Sequence, residues 1–245
     1  MISDKSLLIR DLQARLDSVA NEKTKNWWEK YMRYVSPFRG VNLVVIREQL
    51  RDWYMAHGLS ELPTETQFDL ALALFEPVYD EDKLAGVLFI EEFLVSKLDC
   101  EWSLPRFAAL FTDGKITDWN ICDWFCVRVL ARLIKRHGLP CAQAIARWRT
   151  ADNLWQARAS LVAFAPLVNA KAKPTREMLD LVLETCPYLI KRDERFAKTA
   201  VGWVLREASQ VAPEEVERFT QEYAPYFSKE SLLNATKLIR ARGEG

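Results

Sequence analysis

The stretch DWNICDW at 118–124 sets a tryptophan and an aspartate, Trp119 and Asp123, four residues apart. On a helix, at about 100° per residue, the two are ~40° apart and share one face. An indole face and a carboxylate both attract positive charge, so the pair has the chemistry of a cation site. Turned toward a core, the carboxylate would instead need a compensating partner. Arg158 and Trp203, one on each of two later helical stretches, extend the set. The plain alternative is that Trp119 and Trp203 fill the core while Asp123 and Arg158 form an ion pair between neighbouring elements.

Other reactive side chains offer less. Cys122 and Cys126 are four apart and could share a metal, but no second ligand pair follows at a useful spacing, so buried thiols are the better reading and no metal site is expected. His57 and His137 each precede a glycine and read as helix C-terminal residues at the negative end of the dipole. There is no HExxH, Walker loop, GxGxxG after a strand or GxSxG elbow, which removes zinc proteases, nucleotide hydrolases, dinucleotide enzymes and α/β-hydrolases, and no cofactor is expected.

The elements that must position these residues are helical. TQFDLALALF, DKLAGVLFIEEFLVSKL, WNICDWFCVRVLARLIKR, LWQARASLVAF, REMLDLVLETC and RFAKTAVGWVLREAS all space apolar residues by three and four. Gly58, Asp113-Gly114, Gly138-Leu139-Pro140, Pro174, Pro187 and Pro213 punctuate them. Asp82, Asp118, Asp152 and Asp193 each stand before such a stretch, as helix caps would, at roughly 35–40-residue intervals. The expected fold is all-α, a HEAT-like helical-repeat solenoid whose stacked pairs curve around a concave groove. An irregular helical bundle is the competing architecture.

The 245 residues, 49% apolar, have no Gly/Ser- or Pro-rich linker and read as one domain over 1–245. The N-terminal stretch MISDKSLLIRD carries charges where a signal peptide needs an apolar run, and no segment is long enough to span a bilayer, so a cytoplasmic protein without a membrane partner is expected. Five cysteines without framework spacing fit a reducing compartment better than a disulfide scaffold. The net charge is zero but unevenly spread: residues 1–118 hold 14 Lys and Arg against 20 Asp and Glu, and residues 119–245 hold 20 against 14. The basic half begins at Trp119 and is permissive of phosphate binding.

Four segments, in order, resemble the AlkD-type DNA alkylation repair glycosylases, a HEAT-like repeat family. They are YMRYVSPFRGV (31–41), WNICD (119–123), ADNLWQARASLVAF (151–164) and RFAKTAVGWVLREAS (195–209). The resemblance implies that Trp119, Asp123, Arg158 and Trp203 line a concave DNA-binding groove, with Tyr31 near the DNA surface. It further implies a monomeric, monofunctional glycosylase that excises cationic N3- and N7-alkylated purines from double-stranded DNA without flipping the base. Asp123, Trp119 and Trp203 would then be catalytic, and Arg158 and Tyr31 DNA-binding. Members of that family tend to be more basic than this chain, and some relatives bind branched or damaged DNA without catalysis, which is the alternative function. A helical scaffold for protein partners would not need Trp, Asp and Arg at these positions.

Overall fold

Apolar residues at three- and four-residue spacing form helices whose buried stripes are those residues. In the computed structural model, which describes residues 5–243, α1 (Lys5–Ser18) buries Leu8, Leu12 and Leu16, and α3 (Leu43–Ala56) buries Ile46, Leu50, Trp53 and Tyr54. The first four residues of the stretch read above as lacking a signal segment lie outside the described residues. The other helices are α2 (Glu22–Tyr31), α4 (Thr64–Ala73), α5 (Asp80–Phe89), α6 (Cys100–Thr112), α7 (Trp119–Phe125), α8 (Ala131–His137), α9 (Leu139–Ala146), α10 (Leu154–Val162), α11 (Arg176–Ile190), α12 (Arg195–Ala208), α13 (Pro213–Glu222), α14 (Lys229–Ala235) and α15 (Lys237–Gly243). No strand occurs among the described residues, and the all-α, helical-repeat expectation holds. No helix among them is long and apolar enough to cross a membrane.

The chain divides into two compact units. One comprises the residues up to Leu98 with Gly114–Trp124; the other comprises Asp99–Asp113 with Phe125 onward. Within each, side chains bond across one repeat period. In the first unit Trp53 Nε1 donates to Leu8 O at 3.0 Å over 45 residues, and Asn120 Nδ2 to Asp80 Oδ2 at 3.0 Å over 40. In the second, Asn153 Nδ2 donates to Phe111 O over 42 residues, Arg192 Nη1 to Ala151 O over 41, and Arg195 Nε to Glu230 Oε2 over 35. Such bonds at a near-constant separation are what stacked repeats produce, since each repeat contacts its neighbours. A widened π-helical turn recurs at Ile90–Leu94 and at Cys126–Leu130, at the same offset from Asp82 and Asp118.

The capping expectation is corrected at three positions. Of the four expected aspartates Asp118 alone caps with its side chain, its Oδ1 accepting from Ile121 N at 3.0 Å. Asp82 lies inside the first turn of α5, buried, and pairs with Arg39 Nη2 at 2.8 Å. Asn153, not Asp152, caps α10, accepting from Trp155 N and Gln156 N, and Glu194 occupies the cap position that Asp193 was expected to hold. The cysteine expectation is corrected as well: Cys100 and Cys141, at the starts of α6 and α9, form a disulfide across one repeat, with Cα atoms 6.0 Å apart. Their separation of 41 residues carries no framework signature, because it is the repeat that brings the two together. Cys122 and Cys126 are buried and not disulfide-bonded. His57 caps the C-terminus of α3 and His137 ends α8, as the glycines after them indicate.

Two glycines are close-approach positions. Gly40 has φ 95°, and a Cβ there would lie 2.2 Å from Asn21 O, at the start of α2. Gly202 lets α14 approach α12: a Cβ would lie 2.6 Å from Ser231 O.

Candidate functional site

In the first unit the site is built on α7. The chain turns at Gly114, φ 68°, and the Asp118 cap then starts the helix, so that Trp119 and Asp123 follow one turn apart. Both are half-buried. Trp119 and Tyr31 meet in a T-shaped contact, with ring centroids 5.8 Å apart and planes at 73°. Tyr31 closes α2 and is exposed. Two of the expected site residues, far apart in the chain, are thus in contact.

Next to it is a buried acidic pair, of which the sequence reading singled out only Asp118, as a cap. Asp80 and Asp118 are buried, and Asn120, also buried, ties Asp80 to the first turn of α7. Burial, followed by repulsion from Asp118, pushes the Asp80 carboxyl up to about 7. Burial likewise raises Asp118, against the backbone N–H of Ile121 and the Lys83 ammonium; the Asp123 carboxylate adds to the rise. Asp123 is thus the half-buried neighbour of two buried carboxyls that hold their protons more tightly than ordinary carboxyls do, with Lys83 lowering both. An indole face and a carboxylate on one helical face can both attract a positive charge that develops beside them.

The segment 31–41 is held to α5 by Glu81, buried, whose carboxylate accepts from the main-chain N–H groups of Arg39, Gly40 and Val41 at 2.9, 2.8 and 3.1 Å. Arg39 itself pairs with Asp17 and Asp82 and lies over the Tyr79 ring, 4.3 Å from its centroid. This web fixes the strand of chain that carries α2 and hence Tyr31. In sequence only Asp82 of this run stands out, as a helix cap; the bonds of Glu81 to residues 39–41 are tertiary.

In the second unit Arg158 sits on α10 and is 4% exposed. Its Nη1 donates to Phe196 O at 2.6 Å and to Thr199 Oγ1 at 3.2 Å, on the first turns of α12. The same guanidinium lies 5.9 Å from the Phe196 ring centroid. Trp203 is half-buried on α12, next to Gly202. A cavity of about 510 Å³ in this unit, lined by Leu104, Pro105, His137, Cys141 and Trp148 among others, contains none of the expected site residues. No group of His, Cys, Asp and Glu placed to hold a metal ion occurs among the described residues.

Against this geometry, a family model described as DNA alkylation repair enzyme matches residues 12–239. A solved structure described as a predicted DNA alkylation repair enzyme from Enterococcus faecalis superposes with a TM-score of 0.75 at 20% identity, covering 89% of this chain and 95% of that one. At that identity the likeness is one of fold. No curated protein matches by sequence.

Proposed function

Since the chain belongs to the DNA alkylation repair enzyme family, we propose that it is an AlkD-type monofunctional DNA glycosylase. It hydrolyses the N-glycosidic bond of cationic N3- and N7-alkylated purines in double-stranded DNA and leaves an abasic site. The observation that carries this reading is Asp123 one helical turn from Trp119, both half-buried, with Asp123 near enough to buried Asp118 to raise its carboxyl.

Alkylation at N3 of adenine or N7 of guanine makes the base a cation and a good leaving group. The bond from C1′ to the base breaks, the base departs neutral with the electron pair, and positive charge develops on the sugar. Asp123 stabilises that charge and orients the water whose oxygen bonds to C1′; the water's proton passes to the carboxylate and on to solvent. Trp119 presents its indole face to the cationic nucleotide, and the resemblance assigns Trp203 a catalytic role as well. Arg158 contributes positive charge toward a phosphate, and Tyr31 meets the DNA surface beside Trp119. Because the leaving group is already charged, the step calls on no metal or cofactor; that the lesion stays in the duplex is what the resemblance to the AlkD-type glycosylases implies. The protein acts on DNA as a monomer.

Incubating purified protein with methylated duplex DNA and identifying released bases by mass tests the reading. It requires free 3-methyladenine or 7-methylguanine. Binding without release would leave the non-catalytic reading, recognition of damaged or branched DNA, in its place.

A further inference from the structure

Helix α2 holds two tryptophans and a tyrosine, yet none of its residues is buried. A helix in a packed repeat buries an apolar stripe, and this one does not. One side is attached to the fold: Trp28 stacks on buried Phe38, with centroids 5.6 Å apart and planes at 11°, and Asn21 N donates to Gly40 O at 3.0 Å, while at the C-terminal end Tyr31 meets Trp119.

The other side is an alternation of cations and flat rings. Lys23, Trp27, Lys30 and Tyr31 fall at the spacing that puts residues on one helical face, and all four are exposed. Trp27 is 57% exposed and Tyr31 54%, and their rings are stacked, 5.1 Å apart at 9°. The chain then leaves through Arg33 and Tyr34, both left-handed at φ 55° and 58°, a conformation that residues with a Cβ adopt uncommonly. Tyr34 N donates to Glu29 O at 2.8 Å within this turn, and the Tyr34 side chain is 73% exposed. Large rings held open to water beside ammonium groups match one kind of occupant well. A nucleobase offers a π-face to the ring while its flanking phosphates meet the lysines. Bases within a matched duplex have no free face, so the occupant must be a base that has left the stack.

We propose that the outer face of α2 is a stacking platform for an unpaired nucleobase of DNA, with Trp27 receiving the base and Lys23 and Lys30 the adjoining phosphates. It rests on the reading that this protein acts on DNA, and it adds a site that base excision itself does not require. Through the contact between Tyr31 and Trp119 the platform adjoins the residues assigned to the lesion, which suits lesions lying near gaps, bulges or single-stranded runs.

The test is fluorescence anisotropy with labelled, undamaged oligonucleotides at one salt concentration: a single-stranded thymidine run and a matched duplex. Trp27→Ala should weaken single-strand binding about tenfold while changing duplex affinity by less than about twofold, and Trp27→Phe should restore most of the loss. Equal loss on both DNAs, no loss on either, or a wild-type protein that binds duplex but not single strand would overturn the platform. Base release from methylated duplex, measured on the same preparations, separates the two ideas. Release together with binding indifferent to Trp27 overturns the platform alone. Trp27-dependent single-strand binding without release overturns the glycosylase alone, and a wild type that binds no DNA overturns both.

Discussion

Tyr31 and Trp119 meet edge to face, centroids 5.8 Å apart, although one closes α2 and the other opens α7. An edge contact restrains the tilt of the indole without sealing it in, and Trp119 stays half-buried. The web from Glu81 to the main chain of residues 39–41 holds the segment after Tyr31, and the Asp118 cap holds the start of α7. The pair is thus positioned from both sides by buried carboxylates.

Asp123 is assigned to the transition state alone. Asp123→Asn is therefore expected to lower single-turnover excision by roughly 10² or more while leaving DNA affinity nearly unchanged. Near-normal excision by the variant would remove Asp123 from the chemistry.

Asp80 gives the fold a pH dependence of definite sign. Its folded carboxyl lies at about 7, above the ordinary carboxylate value, so between those two values the folded state binds the extra proton. Stability is lost as pH rises through that window, from the ordinary carboxylate value to about 7. Asp80→Asn keeps an acceptor for Asn120 but cannot ionise, so its denaturation midpoints should fall less over the same range. Parallel curves for the two proteins would show that Asp80 ionises normally.

Arg158 is bonded to protein as well as assigned to DNA. Arg158→Ala removes a donor from Phe196 O and is expected to cost about 1–3 kcal/mol of stability. It should also reduce the slope of log affinity against log salt by about one unit if the residue neutralises a phosphate. A stability loss with an unchanged slope would assign Arg158 to the fold alone.

The helices were legible because three- and four-residue spacing is a local property, and the repeat period was legible because aspartates recur at it. The caps were less so. Whether Asp152 or Asn153 caps α10 depends on which residue takes the extended backbone, and Asp82 was drawn inward by Arg39, a partner from another element. The disulfide between Cys100 and Cys141 needs neighbouring repeats to stack before it has meaning. In the site, the shared face of Trp119 and Asp123 followed from spacing, whereas the contact with Tyr31 and the burial of Asp80 and Arg158 are tertiary. The same holds for α2: Trp27 and Tyr31 are visibly four apart, but only the structure shows that nothing buries them.

The central claim is that positive charge on the base is what the protein acts on. The most direct measurement is single-turnover base release from matched duplexes that each carry one lesion, 7-methylguanine in one and uracil or 8-oxoguanine in the others. Release of 7-methylguanine with none of the uncharged bases is the expected result, because an uncharged base loses both the attraction to the indoles and the leaving-group advantage. Efficient release of uracil or 8-oxoguanine would contradict it.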